Sequence, residues 1–179
     1  MRILLFKIGF YSLVTISILS CTPHNKNVNK LAIFSITEKS DSGSFSKIPK
    51  IDKYISIPQD QDLIKEIAEL MDSVSKNNFH NLKIEVLGIN TTESNFKVLK
   101  INLKENPGFV IPDSLGKYHS WYDYFQGTDG GQETTIILTE STLQKQFKGS
   151  WVDAVEFYYQ GEKMGDWDHI NLSGLITRK

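Results

Sequence analysis

The stretch LIKEIAELMDSVSKNNFHNLKIEVLGINTTESNFKVLKINLK, residues 63–104, decides the fold class of this chain. Charged side chains occupy one side of its first part, and Asp60 or Asp62 can cap the first turn because a short carboxylate accepts free backbone N–H groups. Apolar side chains lie at the spacing of one helix face, at Leu63, Ile64, Ile67, Leu70, Met71 and Val74. The pattern predicts an amphipathic helix that packs one face on a core.

The second part of this stretch alternates apolar and polar residues in two runs, 82–89 and 97–104, around a turn at Asn90–Asn95. Alternation on both sides of a turn predicts an antiparallel hairpin. One face of its second strand would carry Leu99, Ile101 and Leu103. A helix followed by a hairpin predicts an α/β (α+β) fold, with a single domain whose mixed, mainly antiparallel sheet packs against two helices.

The flanking sequence supplies further candidate strands. Leu31–Thr37, Ile51–Ile57 and Val152–Tyr159 are rich in β-branched and aromatic residues, which strands favour. We expect a last short strand at His169–Leu172. Lys39–Lys50 is rich in serine and lysine and predicts a loop.

The segment Gln132–Phe147 fits two structures. Its part Thr134–Thr139, TTIILT, has strand propensity, whereas Gly149 is a natural residue to end a helix. Apolar residues at helical spacing are Ile136, Leu143 and Phe147. The pattern alone leaves both structures open and favours the helix slightly.

The first 21 residues predict export. Arg2 and Lys7 form a basic start, and Ile8–Leu19 is an apolar run that is too short to span a bilayer. Ser20 is a small residue directly before Cys21, which is the single cysteine of the chain. This arrangement resembles a bacterial lipoprotein signal, in which a lipid is attached to the cysteine before cleavage. The alternatives are a soluble secreted protein with one stray cysteine and an uncleaved anchor.

This reading divides the chain into a signal peptide (1–20), a polar lipidated tether (21–30) and a domain (31–179). A diacyl or triacyl cysteine anchors a protein stably because two or more acyl chains are buried in the bilayer. We therefore expect a protein held in the cell membrane or outer membrane. Its domain would lie in the periplasm or outside the cell. The formal net charge is −1, and removal of two signal cations takes it to −3. The chain also has no stripe of lysine and arginine, so nucleic acid is not an expected partner.

The order of these elements resembles the GerMN domain, an α/β module of spore-germination proteins and of several envelope lipoproteins. The resemblance covers about residues 60–176 and is carried by Val98–Leu103, Gly130–Gly131, Thr142–Leu143, Val152–Phe157 and His169–Ser173. It implies a helix for Glu133–Phe147. It also implies a non-enzymatic envelope module that contacts cell-wall components or other envelope proteins. The chain departs from the family at Asn102, where aspartate is common, and in the long stretch Glu105–Asp129.

The aromatic cluster at Tyr118–Phe125, sequence YHSWYDYF, is the main candidate for ligand binding. Aromatic faces stack on the C–H faces of sugar rings, so Trp121, Tyr122 and Tyr124 are the candidate ligand-binding residues of a glycan platform. The alternative is a hydrophobic clamp that closes a long insertion onto the core. An exposed patch would support the platform.

Other candidate sites have simple structural explanations. Asp166–His169 offers oxygen and nitrogen ligands without the usual zinc spacing, and a polar hairpin tip explains it. Asp129–Gly131 resembles an anion-binding nest, but a turn and helix cap explain it. The chain has no Gly-x-Ser-x-Gly elbow, and its four histidines are scattered. No cofactor, metal site or catalytic residue is predicted.

The sequence thus predicts a non-catalytic cell-envelope lipoprotein that binds a cell-wall glycan, such as peptidoglycan, or an envelope partner protein. The first alternative is an envelope hydrolase that acts on glycan or peptide through acidic residues in Glu105–Asp129. Two carboxylates about 5–10 Å apart beside Trp121 would favour it. The second alternative is a subunit that only scaffolds an envelope complex.

Overall fold

The computed structural model describes residues 27–41, 44–111 and 119–179. Within these residues the elements are β1 (Val28–Asp41), β2 (Ser44–Pro58), α1 (Leu63–Asn78), β3 (Lys83–Thr91), β4 (Lys97–Lys104), α2 (Trp121–Phe125), α3 (Thr128–Leu143), β5 (Ala154–Tyr159), β6 (Glu162–Lys163) and β7 (Leu175–Thr177). The predicted α+β class is confirmed. The five-residue helix α2 is an addition to the two helices that the sequence predicted.

The predicted signal peptide and Cys21, the predicted lipidation site, lie outside the described residues. Strand β1 begins at Val28, so the last part of the predicted tether 21–30 belongs to the folded domain. Among the helices of the described residues, none is long and apolar enough to cross a membrane.

Strands β1 and β2 form a long antiparallel hairpin that runs from the pair Val28 and Pro58 to the pair Asp41 and Ser44. Outside residues 42–43, the segment Lys39–Lys50 is therefore strand, and its prediction as a loop was wrong. Most side chains of this part are exposed on both faces, so the sequence shows no apolar alternation there.

The second sheet has the strand order β3-β4-β5-β6, with β7 also paired to β5. Strands β3 and β4 form the predicted antiparallel hairpin, and β5 lies parallel to β4 with Ile101 opposite Phe157. Strands β6 and β7 both pair antiparallel with β5. The strand predicted at His169–Leu172 is wrong. Ile170 and Leu172 are buried, but the paired strand is Leu175–Thr177.

Helix α1 confirms the most regular pattern in the sequence. Asp62 is its N-cap, and the carboxylate Oδ1 accepts the backbone N–H of Ile64 at 2.9 Å. The buried apolar face of the helix consists of Ile67, Leu70, Met71 and Val74, whereas Ile64 of the predicted stripe is 40 % exposed. This face packs on the sheet, where Leu99, Ile101 and Leu103 of β4 are also fully buried.

Helix α3 resolves the ambiguity of residues 132–147 in favour of the helix. It ends at Leu143, because the left-handed backbone of the C-cap residue Gln144 (φ 46°) stops the helix before Gly149. Its buried face includes the polar residues Thr134, Ser141 and Thr142. These hydroxyls are hydrogen-bonded, which is how a helix with a weak apolar stripe can still be buried.

Side chains of α1, of α3 and of its C-cap residue Gln144 satisfy backbone groups of β1 along the edge that no strand covers. The Gln144 amide accepts the N–H of Ala32 at 2.8 Å and donates to its carbonyl at 2.6 Å, as a neighbouring strand would. Ser141 Oγ accepts the N–H of Phe34 at 3.1 Å, and Asn78 donates to its carbonyl at 3.2 Å. The hairpin is thereby fixed to the helices through buried backbone groups that need partners.

Candidate functional site

The aromatic cluster predicted as a glycan platform is mostly buried. Trp121 is 0 % exposed and Tyr124 is 9 % exposed, and both belong to the hydrophobic core. Phe79 contacts both rings, with centroid distances of 4.9 and 5.1 Å. Tyr122 is half-buried. Burial leaves Trp121 without a free face for a sugar and Tyr124 with little exposed surface, so the hydrophobic clamp describes them better than the platform.

Glu105 fixes this cluster in place. One oxygen of its carboxylate accepts the backbone N–H of Trp121 at 3.0 Å, and the other accepts the N–H of Tyr122 at 2.8 Å. The phenol of Tyr159 also donates to Glu105, at 2.9 Å. Burial and the charge of Glu105 together raise the pKa of Tyr159 above its ordinary value. Both Glu105 oxygens are occupied, so this carboxylate acts as the N-terminal clamp of α2.

The second carboxylate beside Trp121, that of Asp123, also accepts a backbone hydrogen bond. Asp123 is buried, its Oδ2 accepts the backbone N–H of His119 at 3.1 Å, and its own N–H bonds to Ser120 Oγ at 3.1 Å. These bonds close a small capping loop around the start of α2. The geometry gives Glu105 and Asp123 a structural use and leaves neither pointing into an open cleft.

The other two candidate sites, Asp129–Gly131 and Asp166–His169, take part in contacts that stabilise the fold. Lys47 of β2 pairs with Asp129 at 3.2 Å and with Glu133 at 2.7 Å, which ties the hairpin to the start of α3. A Cβ atom at Gly131 would lie 2.6 Å from the carbonyl carbon of His169, so the helix approaches that backbone closely. No group of three or more His, Cys, Asp or Glu residues able to hold a metal occurs within the described ranges.

A small cleft of about 230 Å³ lies where α1 ends and α3 begins. His80 borders it, with a left-handed backbone (φ 49°) and its Nδ1 2.7 Å from the hydroxyl of Tyr124. The position directly follows the C-cap Phe79, where helices commonly adopt this conformation. The unusual backbone of His80 is therefore explained by helix termination.

A larger cleft of about 510 Å³ opens at the starts of the parallel strands β4 and β5. Residues from four separate parts of the chain line it: Phe96, Lys145, Phe147, Lys148, Gly149, Asp153, Thr177, Arg178 and Lys179. A smaller cavity of about 150 Å³ shares Phe147 and Lys148 with this cleft and is also lined by residues of β1 and β2. We refer to the larger cleft as the Phe96–Phe147 cleft.

Two half-buried aromatic rings give the Phe96–Phe147 cleft its apolar surface. The ring of Phe147 packs edge-on against Trp151, with a centroid distance of 5.6 Å. A Cβ atom at Gly149 would lie 2.6 Å from the ring atom Cε1 of Phe147. The missing side chain at Gly149 therefore leaves the space in which this ring lies.

Cations surround these rings. Arg178 donates from Nη2 to the carbonyls of Gln144 at 2.8 Å and Phe147 at 2.5 Å, so it fixes the chain that follows α3. Lys148 is exposed beside it. Apolar rings with a few convergent polar groups are the usual composition of a ligand site.

The sequence predictions placed no functional residue in this cleft. Phe96, Phe147 and Arg178 lie far apart in sequence, and each has an ordinary local explanation as a turn, helix-end or terminal residue. The fold brings them together through the parallel pairing of β4 with β5. Comparison with known proteins finds no matching family model, no matching curated protein and no matching solved structure.

Proposed function

We propose that this chain is a non-catalytic cell-envelope lipoprotein, anchored through lipidated Cys21, that binds a cell-wall glycan in the Phe96–Phe147 cleft. The lipoprotein signal and the GerMN-like order of elements support the location. The cleft supports binding, because it offers apolar ring surface beside hydrogen-bonding groups.

The observation that carries the proposal is the pair of half-buried rings, Phe96 and Phe147, in one cleft. A pyranose ring has an apolar C–H face and a rim of hydroxyl groups. The aromatic rings match the face, and the cations and Asp153 can bond to the rim. This site replaces Trp121 and Tyr124, whose burial removes them as stacking surfaces.

The carboxylates next to Trp121 also favour binding over hydrolysis. A glycosidase needs one carboxyl group that can protonate a leaving group and a second that reaches the sugar or a water. Glu105 and Asp123 instead accept hydrogen bonds from backbone N–H groups around α2. A hydrolase that uses this pair would have to break the capping of its own helix.

The test is co-sedimentation of the detergent-solubilised full-length protein with purified insoluble cell wall. We expect Phe147→Ala and Phe96→Ala each to weaken binding about tenfold, because each removes one stacking surface. Phe45→Ala is the matched control, since Phe45 is 75 % exposed on β2 and remote from the cleft in the fold. Unchanged binding of both cleft variants, or an equal loss with Phe45→Ala, would refute the proposal.

A further inference from the structure

We infer that the ligand of the Phe96–Phe147 cleft is an anionic glycan, a sugar chain that carries carboxylate or phosphate groups, and that Arg178 and Lys148 bind its negative charge. This inference rests on the proposed function and specifies the chemistry of its ligand.

The surroundings of Arg178 are the first support. Its guanidinium is half-buried and donates to two neutral carbonyl oxygens, of Gln144 and Phe147. Among the described residues no carboxylate lies within ion-pair distance of it, so its positive charge is only partly compensated. Burial lowers the pKa of Arg178, and attraction to Asp153 partly offsets this. A guanidinium has five N–H donors, so donors remain for a carboxylate or phosphate.

Lys148 and Lys145 differ in whether the side chain already has an ion-pair partner. Lys145 Nζ lies 2.8 Å from the carboxylate of Glu140. Lys148 is exposed at the cleft and has no hydrogen bond or ion pair with the part of the chain that the structure describes. It is therefore available to an incoming anion without the loss of an existing contact.

The acidic side chain in the lining, that of Asp153, has a structural role. Asp153 Oδ2 accepts the backbone N–H of Lys97 at 2.8 Å, which joins the start of β5 to the start of β4. Four cationic side chains, of Lys145, Lys148, Arg178 and Lys179, line the cleft together with this one carboxylate. The lining is therefore net positive, although the whole chain carries a formal net charge of −1. A concave surface of one sign concentrates ligands of the opposite sign. A neutral glycan could hydrogen-bond to these groups but would gain no charge attraction from them.

The experiment measures binding of full-length protein to four preparations: untreated cell wall, wall stripped of phosphate polymers by acid, wall whose carboxyl groups are converted to neutral amides, and chitin as a neutral glycan. We expect tight binding to untreated wall and weak binding to chitin. Loss after acid extraction alone identifies phosphate as the ligand group, and loss after amidation alone identifies carboxylate. Equal binding to all four preparations would overturn the inference.

Variants at Lys148 test the same point from the protein side. Lys148→Glu should lower the affinity for untreated wall about tenfold, and Lys148→Gln about threefold, because the first reverses and the second removes a charge at the rim. Lys53→Glu, an exposed lysine of β2, is the matched control and should change the affinity by less than about twofold.

Different results would contradict glycan binding in the cleft and recognition of negative charge on the glycan. If Phe147→Ala weakens wall binding as expected while Lys148→Glu and wall neutralisation have no effect, the glycan is neutral: the inference is overturned and the proposed function stands. If the wild-type protein binds no wall preparation, the proposed function and the inference are both overturned.

Discussion

The carboxylate of Glu105 accepts the backbone N–H of Trp121 at 3.0 Å. This hydrogen bond helps to hold Trp121, a candidate ligand-binding residue of the sequence, in the core. A short helix that begins at Trp121 leaves its first N–H groups without partners. Glu105 supplies the acceptors from the residue directly after β4. The bond therefore holds the aromatic cluster on the sheet, with Trp121 fully buried.

We expect Glu105→Gln to lower the free energy of unfolding by about 2 kcal/mol, because one of the two backbone N–H groups would then face an amide NH₂ group. Urea unfolding followed by tryptophan fluorescence measures the change. Glu93→Gln, at an exposed turn residue, is the control and should change stability by less than about 0.5 kcal/mol. Equal stability of the two variants would contradict the clamp.

The hydroxyl of Tyr159 predicts a pH dependence. Burial, followed by the charge of Glu105, raises the pKa of Tyr159 in the folded chain above the ordinary value of about 10. The protonated phenol is then favoured by folding, so its stabilisation is complete below pH 10 and is lost as the pH rises through the folded value. Tyr159→Phe should therefore flatten the alkaline fall in stability. Parallel alkaline curves for wild type and Tyr159→Phe would rule this out.

A substitution at Gly149 tests the cleft without replacing any of the side chains proposed to bind the ligand. Because a Cβ atom at this position would meet the ring of Phe147, Gly149→Ala should rotate that ring and lower wall affinity about threefold or more. The ring can move, so the thermal midpoint should change by less than about 3 °C. Gly165→Ala, where no atom lies within 4 Å of the added Cβ, should change neither quantity.

The predicted lipid anchor is tested by Cys21→Ala. Without the thiol there is no site for the lipid, so the variant should leave the membrane fraction and appear in the soluble envelope or culture fraction. Fractionation followed by immunoblotting measures this. Continued sedimentation of the variant with membranes would contradict the anchor, and Ser17→Ala inside the signal should leave localisation unchanged.

The sequence predicted those parts of the fold whose patterns are local. The helix that begins at Leu63 and the hairpin of β3 and β4 bury one face each, and such elements show their period directly. Residues 132–147 remained ambiguous because the helix buries Thr134, Ser141 and Thr142, which read as polar. Their partners lie in other elements, so no local pattern shows that they are satisfied.

The errors have related physical causes. Lys39–Lys50 continues a strand pair whose faces are mostly solvated, so backbone pairing forms without an apolar pattern. Ile170 and Leu172 alternate like a strand, yet they fill the core from an irregular segment. The Phe96–Phe147 cleft has no local sequence pattern, because its residues converge only after β5 pairs with β4. The aromatic residues around Trp121, in contrast, are adjacent in the sequence.

The most direct test of glycan binding in the Phe96–Phe147 cleft is an NMR titration of ¹⁵N-labelled protein with soluble cell-wall fragments. The account predicts amide shift changes at Phe96, at Phe147–Gly149 and at Arg178, with none around Trp121. Changes confined to another surface, such as the outer edge of β2, or no changes at saturating fragment, would contradict it.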